Sequence, residues 1–421
     1  MSQTTASPIP ATDLDKEGSN LPGRKQTALV WQLIFQVSTI IGIIALSALL
    51  FNITNQSFGY MALQNKVDPE SLAVNGVALE ELPQEELVRI FQENVSKGLL
   101  RRYEREKPFA ERSREEVYDL ILEEVIDPQI VRTWLLVDSL TQRQAIQAEA
   151  AEEFPQARLV FRSWITPRFV ASPQSSIPLD AGVRTAILGS LWTIFITIVI
   201  ALPIGISAAI YLEEYAIDNW VNRLIQTNIN NLAGVPSIIY GMLGLAIFVR
   251  NLEPLTSGAM FGLTDPTTAN GRTILSAGLT LALLILPLII INAQEAVRSV
   301  PNSLRQAGLG LGATKWQTIW HHVLPNAIPG ILTGAILSVS RAMGETAPLV
   351  VVGAATFITF DPNGPFSKFT TLPIQIYQWT ARPQAEFRNI AAAAILVLMI
   401  LLLSLNATAI LLRNRYSRRL S

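Results

Sequence analysis

The chain has 421 residues, of which 50% are hydrophobic and only 15% charged, with a formal net charge of −1. This balance leans away from a soluble enzyme and towards a membrane protein, and it excludes the strong positive field of a nucleic-acid binder. The absence of cysteine rules out disulfides and thiolate metal sites, and two adjacent histidines, His321 and His322, argue against a zinc site.

A bilayer core of about 30 Å needs about 20 apolar helical residues. Six segments meet that need, at 28–51, 186–212, 232–249, 273–292, 328–352 and 391–412. They predict an all-α membrane protein with six transmembrane helices. The first could also be read as a signal peptide, but its apolar core is too long and no small-x-small cleavage site follows. Arg24 and Lys25 precede the first span, and Arg413, Arg415, Arg418 and Arg419 follow the last. Both the 1–27 tail and the basic 413–421 tail therefore read as cytoplasmic. Arg298, Arg305 and Lys315 agree for the loop after span four; Lys368, Arg382 and Arg388 argue mildly against an external loop after span five.

Residues 52–180 form an extracytoplasmic insert too long to be a connector. Leu87, Ile90, Phe91 and Val95, then Val117, Leu120, Ile121, Val125, Ile130 and Leu135, repeat at helical spacing. Asp127 as a cap and Pro128 at the first helical position predict another helix start. The expectation is a helical domain, serving either as a solvated packing insert or as a docking surface for an external partner. No catalytic constellation stands out in it.

Span two carries Pro203, and span four carries Pro287. Span three is punctuated by Gly234 and Pro236, with Gly241 and Gly244 beyond, which suits either close packing or a hinge. In the 293–330 loop, Leu304, Ala307 and Leu311 lead up to Gly312, and Trp316, Ile319, Trp320 and Val323 follow it. Glycine accepts positive φ at a helix end, so Gly312 predicts a tight turn between two short helices. Pro325 is expected to stop the second helix and Pro329 to start span five. Trp316 and Trp320 on such an element suit insertion into a partner's groove.

"QAGLGLGATKWQTIWHHVLP" resembles the EAA loop of ABC importer permeases, the binding-protein-dependent permease family. Gln306, Ala307, Gly308, Gly312, His322, Leu324 and Pro325 occupy the pattern's places. Glutamine stands for the usual glutamate, glycine for the second alanine and histidine for isoleucine. "AAIYLEEYA", "NNLAGVPSIIYGMLGL", "RAMGETAPL" and "LPIQIYQW" narrow the resemblance to phosphate-importer permeases of the PstA type. It covers residues 184–421 and the first span and leaves the insert outside. The resemblance implies a permease core at 181–412 and a cytoplasmic coupling helix-turn-helix. Gln306, Ala307, Gly308, Gly312, Ala313 and Trp316 would dock into a separate ATPase. It also implies a multi-pass protein of the bacterial inner membrane, without catalysis of its own. Its partners would be a second, PstC-like permease, two PstB-like ATPase copies, a PstS-like phosphate-binding protein, phosphate and the bilayer, but no nucleic acid. No cofactor is expected on this chain. It lacks G-x-x-x-x-G-K-[ST], so ATP and Mg belong to the ATPase.

Span five holds two charges that lipid would penalise by about 2.5–3.5 kcal/mol each at a helix centre. Gly330, Gly334, Ser338, Arg341 and Glu345 fall on one arc of about 80° of the helix. The two glycines permit close helix approach. Leu332, Ile336, Val339 and Met343 are expected to face lipid. Arg341 and Glu345 either form a structural pair or line an anion path with Ser338. Arginine suits phosphate because its planar fork stays charged and offers paired donors. The expected function is half the pathway of a phosphate importer. The alternatives are a permease for sulfate, molybdate or phosphonate, and a membrane-anchored enzyme or sensor working through the insert.

Overall fold

The computed structural model describes residues 21–74, 77–263, 271–354 and 357–417. The expectations for residues 1–20, Arg418 and Arg419 lie outside them. The first helix, α1 (Leu21–Ser57), runs 37 residues. Leu33, Ile41, Leu46 and Phe51 are exposed on its different faces. A helix apolar all round suits a lipid environment. α1 up to Thr54 forms one compact unit, and the chain from Asn55 onward forms a second.

The second unit begins with the insert, which is not purely helical as expected. β1 (Phe58–Asn65), β2 (Pro128–Thr133) and β3 (Arg158–Ser163) form an antiparallel sheet in the order β2-β1-β3. Met61 pairs with Thr133 on one side and Val160 on the other. Asp127 does not start a helix: with a φ of 41° it caps the C-terminal end of a π-turn at 122–126, and Pro128 opens β2. Proline is tolerated there because the first residue of a strand can forgo an N–H bond. α2 (Gln84–Asn94), α3 (Lys97–Glu106) and α4 (Arg114–Ile121) do follow the helical spacing. Leu87, Ile90, Phe91, Val117, Leu120 and Ile121 are buried together in their own core. Ser113 and Glu116 close a reciprocal capping box at the start of α4. α5 (Leu136–Thr141), α6 (Arg143–Glu153) and α7 (Pro167–Ala171) complete the insert.

α8 (Arg184–Ile210) continues through a π-turn, Tyr211–Tyr215. Span three is not one helix. α9 (Trp220–Ala233) and α10 (Ser237–Gly244) meet at 105° around Gly234–Pro236, and α10 runs on as a π-helix to Asn251. α11 (Ile274–Arg298) is the most buried of the long apolar helices, with Pro287 inside it. It packs on α8 closely enough that a Cβ on Gly278 would lie 2.6 Å from Ile196 Cγ2.

α12 (Asn302–Gly310) leads to Gly312, whose φ is 84° as the turn required. Beyond it, Pro325 does not stop the second helix. α13 (Lys315–Thr318) passes through a π-turn, Ile319–Val323, straight into α14 (Leu324–Gly344). The wider turn absorbs the proline's missing donor. α14 ends at Gly344, and α15 (Ala347–Val352) starts anew. α16 (Leu372–Thr380) and α17 (Ala385–Ser417) follow. Among the described residues, five helices are long and apolar enough to cross a membrane, and six if the bent α9–α10 pair counts as one span.

The insert shares a core with the bundle. Met61 from β1, Trp164 and Phe169 pack with Leu372 and Trp379 of α16 and with Phe387 and Ile390 of α17. Arg184 Nε meets Asp361 Oδ2 at 3.0 Å and pins the start of α8 to the 357–371 loop.

Candidate functional site

Two places gather the residues that the sequence singles out. The first is the break after α14. Arg341 and Glu345 do not lie near the middle of a continuous span, as expected. Arg341 sits in the last turn of α14, and Glu345 is the extended residue that caps it. Gly344 and Pro348 bracket the break, and a proline in the next helix's first turn favours a fresh start. Arg341 Nε approaches Glu345 Oε1 at 3.4 Å, long for a charge-assisted bond, and 45% of the arginine side chain is exposed. Ser338 is buried, and its hydroxyl donates to the Gly334 carbonyl at 2.9 Å. The structure therefore pairs Arg341 with Glu345 and seats Ser338 one turn below in the packing.

The glycines on that face behave as expected: a Cβ on Gly330 would lie 2.8 Å from that of Ala296, and one on Gly334 would overlap Asn292 of α11. The opposite face departs from expectation. Val339 and Met343 are buried in the bundle core, while Leu337 is the residue left well exposed.

The broken third span abuts this break. Tyr240 Oη donates to the Leu232 carbonyl at 2.7 Å and bridges the bend around Gly234 and Pro236. A Cβ on Gly241 would lie 2.6 Å from Pro348 Cα, so α10 and α15 touch backbone to backbone. Two helix breaks thus flank one another beside the Arg341–Glu345 pair. Non-helical backbone at membrane depth is tolerated where it is enclosed by protein or lines a polar path.

The second place is the 293–330 loop. Gln306 and Ala307 are exposed on α12; Gly308 is buried, where a Cβ would lie 2.9 Å from Thr318 Oγ1. Gly312 makes the turn, Ala313 is half-buried, and a Thr314–Gln317 capping box starts α13. Trp316 and Trp320 stack at 5.3 Å with both rings about half exposed, and Leu311 is 89% exposed. An exposed aromatic pair beside a bare leucine is an unpartnered apolar tip.

Residues that the sequence used only to orient the loop, Arg298, Arg305 and Lys315, hold it, together with three residues given no role, Glu213, Glu214 and Tyr215. Arg298 Nε and Nη2 donate to Glu213 Oε1 and Oε2 at 2.9 and 3.0 Å. Arg305 Nε and Nη2 donate to Glu214 Oε1 at 2.9 and 2.7 Å. Lys315 Nζ sits 5.0 Å from the centre of the Tyr215 ring. The signal available was the acidic pair in "IYLEEYA" facing a basic loop.

A family model described as binding-protein-dependent transport system inner membrane component matches residues 201–421. The probable ABC transporter permease protein YqgI of Bacillus subtilis is 33% identical over 261 residues, 58% of this chain and 83% of that protein. Phosphate transport system permease protein PstA 1 of Mycobacterium tuberculosis is 35% identical over 240 residues, 56% of this chain and 72% of its own length. Phosphate transport system permease protein PstC of Pasteurella multocida is 36% identical over 210 residues, 45% of this chain and 62% of its own.

Proposed function

This chain belongs to the family of binding-protein-dependent transport system inner membrane components, and from that premise we propose that it forms half of the pathway of an ATP-driven inorganic phosphate importer. The similarity to phosphate transport permeases supports the substrate. The observation that carries the mechanism is the half-exposed Arg341 at the junction of two helix breaks, held by a single long contact to Glu345. Its remaining guanidinium donors match the oxygens of a tetrahedral anion. Glu345 neutralises Arg341 when the path is empty, so the anion is bound moderately and released. Ser338 supports the helix from within the packing, and Gly234 and Pro236 supply the bend at which the third span flexes.

In this reading the tip made by Leu311, Trp316 and Trp320 docks into an ATPase on the cytoplasmic side, with Gln306, Ala307, Gly308, Gly312 and Ala313 shaping it. Both termini are cytoplasmic, and the insert lies outside. The assembly holds a second permease, two ATPase copies that bind ATP and Mg, and an external phosphate-binding protein.

The test is ATP-dependent uptake of radiolabelled phosphate in vesicles holding the full complex, with Arg341→Gln against wild type and ATPase co-purification as the assembly control. The expected outcome is uptake reduced by about 100-fold with assembly intact, the loss of a charge-assisted contact of about 2–3 kcal/mol. Unchanged uptake would reduce the pair to a structural one. Wild-type uptake of sulfate or molybdate in place of phosphate would overturn the substrate and leave the architecture.

A further inference from the structure

Resting on the importer reading, we propose that the turn Tyr211–Tyr215 ties α8 to the coupling loop, and that Glu214 is the positioning residue that makes α8 follow it. The loop is joined through the backbone to α11 on one side and, through the π-turn, to α14 on the other. α8 has no such continuity with it. Its end shares an apolar cluster with Val297, Val300 and Val323 through Ala209 and Leu212, which is non-directional; the directional contacts to the loop come from its tail, three in five residues. Glu213 holds Arg298 at the end of α11, Glu214 holds Arg305 on the first arm, and Tyr215 lies beneath Lys315 on the second.

The middle contact is the buried one. Glu214 is 8% exposed and Arg305 18%. A charge so far from water persists only when paired and hydrogen-bonded. Arg305 meets that demand from two directions at once. It gives two N–H bonds to Glu214, and others to the carbonyls of Val297 and Val300 at 2.9 and 2.6 Å and to Asn302 Oδ1 at 3.3 Å. One guanidinium thus joins the corner between α11 and α12 to the tail of α8. The planar fork fixes direction as well as distance, which an ammonium would not.

The backbone explains how two neighbouring carboxylates reach different arms. The turn is a π-turn, closed by Ala216 N donating to the Tyr211 carbonyl at 2.8 Å. Such single wide turns recur at functional sites in otherwise regular helices. Movement imposed on the loop is therefore delivered to α8 through Glu214 at the same moment as it reaches α11 and α14 through the chain.

The absence of cysteine leaves no competing labelling site on this chain, and the partner subunits are used with their cysteines replaced. Labels at Tyr211→Cys and Ser303→Cys, in the full complex in proteoliposomes, report the separation of α8's tail from the loop with and without ADP–vanadate. In wild type that separation stays the same in both states. In Glu214→Gln it changes between states, and phosphate taken up per ATP hydrolysed falls by about five-fold or more, the lower end of ordinary coupling between sites. If Glu214→Gln fails to retain the ATPase, Glu214→Asp, one methylene shorter, carries the same measurement. The proposal is overturned if the separation varies equally in wild type and variant, or if uptake per ATP is unchanged. Should wild type move no phosphate, the importer reading fails, while the label distances, which need only ATP turnover, still decide whether Glu214 couples.

Discussion

Two regions, the insert and the 293–330 loop, are held by different balances of forces. At the insert, Met61, Trp164, Trp379 and Phe387 make one apolar cluster between sheet and bundle. At the 293–330 loop, a smaller apolar cluster that includes Ala209, Val297, Val300 and Val323 is supplemented by the pairs Glu213–Arg298 and Glu214–Arg305, and the two tryptophans are left outside. Apolar burial is non-directional and scales with area, so it fixes a domain in place. Paired guanidinium and carboxylate groups are directional and couple specific atoms. The difference teaches that the insert is a fixed part of the body, whereas the loop adds directional pairs to a smaller core and leaves Leu311, Trp316 and Trp320 on the surface. It also disposes of a simple experiment: deleting 52–180 would strip the cover from Trp379 and Phe387, so loss of transport after deletion would say nothing about sensing.

The sharpest break of this comparison is Trp379→Ala. The side chain is fully buried, so removing it should cost about 3–5 kcal/mol. Insert and bundle should then lose their hydrogen-exchange protection in the same transition. Separate transitions would show that the two halves do not share a core. Next in size, Arg305→Gln leaves the Glu214 carboxylate buried without its partner and should cost about 3 kcal/mol. Arg298→Gln, at a side chain 60% exposed, should cost under about 1 kcal/mol. Thermal unfolding of the purified complex gives both, and equal losses would erase the distinction between a buried and an exposed fastening.

The smallest effect belongs to the insert's acidic face. Partial desolvation of a side chain that still reaches the surface, and then the nearby carboxylates of Asp180 and Glu124, push the Glu123 carboxyl up, with Arg168 acting the other way. A raised folded-state value means that the neutral acid is the form the fold favours. The stability it contributes is fully present below the unfolded value and is lost as pH rises through the folded one. Glu123→Gln should therefore protect the amides around residues 120–126 at neutral pH, and the advantage over wild type should shrink on acidification. An advantage that grows towards acid would contradict the sign.

The long helices were legible because an apolar run of twenty residues has few alternatives to crossing a bilayer. The Gly312 turn and the close approach at Gly334 were legible because each needs a missing side chain. The sheet was not. Its strands of six to eight residues show no clean alternation, with half-buried positions along β2 and β3. Asp127-Pro128 carries the same signal whether it opens a helix or a strand. The reading of span five assumed a continuous helix, although Gly344 and Pro348 marked where it ends. The pairs that fasten the loop join residues 85 and 91 positions apart, a separation over which no local pattern speaks.

The continuity from Lys315 to Gly344, 30 residues in one helix, makes a lever of the exposed tryptophans. From Trp316 to Arg341 the arm is ~38 Å at 1.5 Å per residue. A tilt of about 5° at the tip sweeps the far end through roughly 3 Å, more than the width of a hydrogen bond's tolerance. If the tip docks as proposed, a small rocking of it would be carried to the neighbourhood of Arg341, less whatever the π-turn at 319–323 and the prolines Pro325 and Pro329 absorb.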